Sequence, residues 1–149
     1  LLLIRAGSRI KSSGEMHQAR DLEGTIQDQK TENLHQLKEV ARDMEYALRK
    51  GKLYHFGILL KKGWEIKRSL DPSMSTSHID NLIATALQYG AVGGRLLGAG
   101  GGGHLLFYCN PDQNQRVCEA LERFQAQRID FSFDFSGLKI WEVEDESSE

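Results

Sequence analysis

At 149 residues the chain has room for one domain, or for a large part of a bigger one. Hydrophobic residues make up 40% and charged residues 27%, enough for a sizeable core beneath a charged surface. Nineteen basic side chains against 21 acidic ones leave a net charge of -2, which gives no electrostatic reason to expect nucleic acid or a membrane surface as partner. Apolar runs are only a few residues long, as at Leu1–Ile4, far short of a membrane span. No basic flank precedes a long apolar run, as a signal peptide would require. The two cysteines, Cys109 and Cys118, make neither a disulfide framework nor a CxxC metal pair, so a reducing cytoplasm is the expected location. The chain opens at Leu1, directly in an apolar run, which reads as the interior of a longer chain; a processed start is the alternative.

In chain order, Leu1 to Arg5 is predicted as a strand entering a loop at Gly7-Ser8. A long amphipathic helix is predicted from Ile26 to Lys50, started by Thr25 or Thr31. Leu34, Leu37, Ala41, Met44 and Leu48 recur along one face, and Gly51 supplies the stop. Leu53 to Leu70 repeats the pattern with Leu53, Phe56, Leu60 and Trp64, although Gly57 and Gly63 weaken it. Asp71-Pro72 breaks that helix. Ser77 and Asp80 resemble a capping box, and a third helix follows through Leu87 to Gly90. Ala91–Leu97 and His104–Cys109 are predicted strands around a glycine run. Asn110-Pro111 starts a helix whose buried stripe is Val117, Leu121 and Phe124. Ile129 to Phe135 alternates apolar and polar residues, the pattern of a half-buried strand. Ser136-Gly137 turns the chain into a last strand, Leu138 to Val143, before an acidic tail over 144–149. The order predicts an α+β fold: a layered domain over 1–143 with an antiparallel sheet and an inserted set of helices.

The glycine run Gly98, Ala99, Gly100, Gly101, Gly102, Gly103 is richer than a hairpin needs. Ordering five glycines costs backbone entropy, and the usual reason to bear it is another backbone or a phosphate approaching closer than a Cβ allows; a flexible or tightly packed hairpin is the alternative. Successive N–H groups in such a loop can also form an anion-binding nest. The run matches GxGxxG, but a strand follows it where a dinucleotide site needs a helix. A protein-kinase glycine loop needs a lysine on the next strand, and none occurs between Gly103 and Lys139. No GK[ST] follows, which excludes a Walker loop.

The wider segment Gly90-Ala-Val-Gly-Gly-Arg-Leu-Leu-Gly-Ala-Gly-Gly-Gly-Gly-His-Leu-Leu-Phe-Tyr-Cys109 resembles the C-terminal glycine motif of the GHMP kinases, with closest likeness to the D-glycero-D-manno-heptose 7-phosphate kinase branch. Leu1 to Gly14 resembles the strand and loop that open that family's C-terminal domain. Gly63-Trp64-Glu65-Ile66-Lys67-Arg68-Ser69-Leu70 resembles its Trp-containing helix, and His78-Ile79-Asp80 the helix before the motif. The family more often has lysine at the place of Arg95 and an aromatic at the place of His104. The resemblance implies a ferredoxin-like C-terminal domain, ATP and Mg2+ as cofactors, and a sugar or sugar phosphate as acceptor. It further implies that Gly98 to Gly103 packs against a nucleotide loop at the phosphate end of the site.

No Gly-Leu-Gly-Ser-Ser-like loop occurs, and Ser12-Ser13-Gly14 is too short to replace it. The ATP-binding N-terminal kinase domain is therefore expected outside these residues, as the chain's partner. No catalytic residue and no metal ligand is assigned here, because the five histidines lack a ligand spacing. Arg95, Trp64 and Lys67 are candidate substrate contacts. Arg95 could bind a sugar phosphate or simply be solvated, and Trp64 with Lys67 reads first as a core tryptophan beside a snorkelling lysine. Cys109 reads as a small buried hydrophobe. The expected function is the C-terminal part of an ATP-dependent sugar kinase, inactive alone. The alternatives are a non-catalytic module of the same fold, or a piece of a fused enzyme that also performs nucleotidyl transfer.

Overall fold

A computed structural model of the chain describes residues 1–7, 24–98 and 101–141. Its elements are β1 (Leu2–Arg5), α1 (Gly24–Arg49), α2 (Leu53–Leu70), α3 (Ser77–Gln88), β2 (Ala91–Leu96), β3 (His104–Cys109), α4 (Asn114–Glu122) and β4 (Gln127–Ile129). Short 3-10 turns over Pro72–Met74 and Pro111–Gln113 precede α3 and α4. The strands form one antiparallel sheet in the order β2-β3-β1-β4. This is the ferredoxin-like α+β arrangement, with three helices where the simplest version has one.

Alternation along β3 covers the sheet on both sides. Leu105, Phe107 and Cys109 join the larger core with Leu2, Ile4, Leu96, Trp64 and the buried faces of α3 and α4. Leu106 and Tyr108 point the other way, onto Val40 and Ala47 of α1 and Phe56, Leu59 and Leu60 of α2. Gly57 explains itself here. A Cβ built on Gly93 of β2 would lie 1.8 Å from the Gly57 carbonyl oxygen. The helix therefore crosses the strand at backbone contact, which only glycine at Gly93 permits.

Several boundaries differ from the sequence reading. Helix α1 begins at Gly24, ahead of Thr25 and Thr31. Its buried stripe runs through Leu37, Val40, Met44 and Ala47, while Leu34, Ala41 and Leu48 face outward. Leu37, Val40, Met44 and Ala47 keep three- and four-residue spacing, but the stripe is rotated by one position. The stop at Gly51 holds. Gly51 has φ +65, its N–H meets the Leu48 carbonyl, and the Lys52 N–H meets Ala47, the paired bonds of a Schellman cap. Thr76, not Ser77, caps α3, its hydroxyl accepting from the Ile79 N–H. Asn110 makes no side-chain cap, and Phe124 lies beyond α4, partly exposed.

The largest correction is at the C-terminal end. The strand expected over Ile129–Phe135 is reduced to Gln127–Ile129, and Leu138–Trp141 forms no strand. An alternating pattern gives a strand only where a neighbouring strand supplies backbone partners, and among the described residues β4 has one only in β1. Ser8–Gly14, Val143 and the acidic tail lie outside the described residues.

Candidate functional site

The glycine run joins β2 to β3 and is tied down from three sides. Gly98, Gly101, Gly102 and Gly103 all have positive φ (+74, +77, +144 and +105), a conformation that side chains rarely adopt. Ala99 and Gly100 lie outside the described residues. The Gly101 N–H donates to the Met74 carbonyl at 3.0 Å, and the Ala6 N–H donates to the Gly103 carbonyl at 2.8 Å. Lys67 Nζ donates to the Gly98 carbonyl at 2.7 Å. Ala6 is itself held, because its carbonyl lies 2.9 Å from Nε2 of His78 on α3. The loop is thus fixed by α2, by the turn after α2, and by the end of β1. That fixing offsets the entropy cost which the sequence left unexplained.

Two cations stand at the same end. Arg95 is half-buried on β2, and its Nε is buried with no hydrogen-bond partner among the described residues. Burial pulls its pKa below the usual guanidinium value. Lys67 on α2 is also pulled below the ordinary lysine value, first by burial and then by the charge of Arg95. Among the described residues neither forms an ion pair; Arg68, the next residue on α2, pairs with Asp80 at 3.3 Å. Arg95 and Lys67 therefore repel each other without a carboxylate between them. An anion at this place would relieve both.

Trp64 lies one turn before Lys67 but is only 2% exposed, inside the core, with its Nε1 unpartnered among the described residues. Its place is that of the core tryptophan in the sequence reading. The structure brings Arg95 and Lys67 together at the glycine loop and sets Trp64 behind them. His104 is exposed at the start of β3. Burial raises the Cys109 thiol to about 11, so it is no nucleophile at neutral pH.

Sequence reasoning missed the anchors Ala6 and Met74, which act through backbone atoms and carry no side-chain signature. It also missed a groove of about 520 Å³ between the end of α2 and the start of α3, lined by Glu65, Arg68, Ser69, Ser75, Ser77 and Asp80 among others. Asp80, read as a cap, instead accepts from the Ser75 hydroxyl at 2.7 Å and pairs with Arg68. The groove and the glycine loop share the 72–75 turn, whose Met74 carbonyl holds Gly101.

Comparison with known proteins agrees with this architecture. The chain is 30% identical over 131 residues to the D-glycero-alpha-D-manno-heptose 7-phosphate kinase of Campylobacter jejuni, covering 85% of this chain and 39% of that protein. It is 34% identical over 80 residues to the L-fucokinase/L-fucose-1-P guanylyltransferase of Bacteroides fragilis, covering 54% of this chain and 8% of that one. The solved mevalonate kinase of Methanococcus jannaschii superposes with a TM-score of 0.68 at 24% identity, over 86% of this chain and 37% of that structure. The chain thus spans about two fifths of the first of these relatives. Residues 44–127, more than half of the chain, match the family described as GHMP kinases C terminal. With its ferredoxin-like sheet and its glycine loop between β2 and β3, the chain belongs to the GHMP kinase C-terminal family.

Proposed function

We propose that these residues serve as the C-terminal part of an ATP-dependent sugar or sugar-phosphate kinase, and that they are inactive without an ATP-binding part. The observation that carries this reading is the pairing of a fixed glycine loop with two cations that, among the described residues, form no ion pair. Phosphoryl transfer depends on positioning and on neutralising the charge of the transferred group. Gly98 to Gly103 has no Cβ, except at Ala99, to keep a nucleotide-bearing loop at a distance. Arg95 and Lys67 would hold an anionic group of the acceptor, such as the phosphate of a sugar phosphate, and orient its hydroxyl. Lys67 already spends one N–H on Gly98, so binding an anion there also pins the loop.

Mg2+ supplies charge neutralisation to such a reaction. Among the described residues, no group of three His, Cys, Asp or Glu side chains is suited to a metal ion. The test is ATP turnover with heptose 7-phosphate and related sugars, on the 149-residue chain and on the whole natural polypeptide that carries it. Turnover by the whole polypeptide alone is expected. Robust turnover by the 149 residues would overturn the division of labour, and a whole polypeptide without sugar kinase activity would overturn the reading.

A further inference from the structure

The segment after β4 carries Phe131, Phe133, Phe135, Leu138, Ile140 and Trp141, exposed to 41, 64, 92, 88, 86 and 75%. Soluble domains rarely leave so many large apolar side chains in one stretch of chain open to water. They are not scattered. Phe131, Phe133 and Phe135 alternate with Asp130, Ser132 and Asp134, and successive rings meet at centroid distances of 5.6 and 6.2 Å. A turn then redirects the chain. The Ser136 N–H and hydroxyl both donate to the Asp134 carboxylate, and Gly137 has φ +69. The second arm repeats the alternation with Leu138, Ile140 and the polar Lys139. The pattern is that of two strands with one apolar side, Trp141 alone falling on the other side, lying beyond the edge strand β4 and without ladder partners among the described residues.

We infer that this strip is the docking surface for the ATP-binding part of the kinase, which adds its own sheet edge or apolar face to it. The inference rests on the reading of the chain as one part of a longer enzyme. Three observations choose that occupant. The strip follows directly on β4, the edge strand of the sheet, whose only partner among the described residues is β1, so its other edge is open to an added strand. The relatives carry more than half of their length outside the part matched here. Taking about 150–250 Å² for each of the six large apolar side chains and their exposures, Leu138 and Ile140 included, the strip exposes roughly 800 Å², the share that one partner brings to a standard protein interface. Strand addition also suits the chemistry: backbone groups pair along the edge while alternate side chains are buried.

Hydrogen–deuterium exchange with mass spectrometry tests this on two samples, the 149-residue chain and the whole natural polypeptide that carries it. Amides of residues 130–141 are expected to exchange rapidly in the first and at least a hundredfold more slowly in the second. The double substitution F133D/F135D is expected to restore fast exchange there. It should leave the circular dichroism of the 149-residue chain unchanged, since both side chains are exposed in it. Equally fast exchange in both samples, with sugar phosphorylation present in the whole polypeptide, would overturn the docking surface and leave the kinase reading standing. Slow exchange in the whole polypeptide without sugar phosphorylation would support the docking surface while the kinase reading fails. Protection in the 149-residue chain alone that grows with protein concentration would assign the strip to a second copy and overturn the proposal.

Discussion

The glycine loop and the C-terminal strip invert what their sequences advertise. Gly98 to Gly103 has almost no side chains and the costliest backbone in the chain, yet it is held at both ends by neighbours from β1, α2 and the following turn. Phe131 to Trp141 has abundant apolar side chains and a strand's periodicity, yet its large apolar side chains stand 41–92% exposed and it has no ladder partner among the described residues. Order follows from tertiary partners, not from local composition. A segment rich in binding capacity but without partners points outward.

That contrast is open to direct attack. The largest effect is expected where the loop-bearing strand meets α2. Gly93→Ala places a Cβ 1.8 Å from the Gly57 carbonyl oxygen, against backbone that cannot step aside. A loss of about 3 kcal/mol or more in urea unfolding is expected, at the upper end of overpacking costs. A loss below about 1 kcal/mol would mean that α2 does not sit on β2 as described.

Next in size is the loop itself. Nothing crowds a Cβ on Gly98, but its φ of +74 does not suit alanine. Gly98→Ala is expected to cost about 1–2 kcal/mol from the left-handed backbone alone. An unchanged midpoint would show the loop to be free to choose another conformation.

The third effect concerns charge. Lys67→Met removes the hydrogen bond to Gly98, worth about 1 kcal/mol at neutral pH. It also relieves the repulsion from Arg95, so the net change is expected to be smaller than that. The pH dependence is more telling. A lysine pKa depressed by folding means that the unfolded chain binds more protons between the folded value and the ordinary 10.5, so stability from this group rises with pH across that window. The raised Cys109 thiol acts in the opposite sense, losing stability as pH climbs from 9.0 towards about 11. Subtracting the variant's stability curve from the wild type's cancels the cysteine. The difference should rise with pH towards 10.5, and a flat or falling difference would contradict a depressed Lys67.

The smallest effect belongs to the strip. F133S/F135S in the 149-residue chain is expected to change unfolding stability by no more than about 0.5 kcal/mol, the range of exposed substitutions away from packed features. A loss of 2 kcal/mol would show that these rings pack within the chain.

Much of this was legible in the residues. The helices came from periodicity, the stop at Gly51 from a glycine's freedom to take the positive φ that ends a helix, and the β2–β3 frame from two apolar runs around glycine. The cation pair was half legible. Arg95 and Lys67 were each visible as candidates, but their proximity depends on α2 crossing β2, which the Gly57–Gly93 contact sets and no local pattern announces. The anchors at Ala6 and Met74 were invisible, because a main-chain carbonyl or N–H has no residue type. The strip was misread for a physical reason. Alternation reports that a segment has one apolar side, whereas a strand also needs a hydrogen-bonding neighbour.

Arg95, Lys67 and the glycine loop together are proposed to receive an anion. Titrating the 149-residue chain with inorganic phosphate, while following the backbone amides of Gly98, Gly101, Gly102 and Gly103 and the side chain of Lys67 by NMR, tests this most directly. Saturable shifts confined to these groups are expected, together with a rise in the Lys67 pKa as the bound anion offsets Arg95, and both should be lost in Arg95→Ala. Shifts that never saturate, or that persist unchanged in Arg95→Ala, would contradict it.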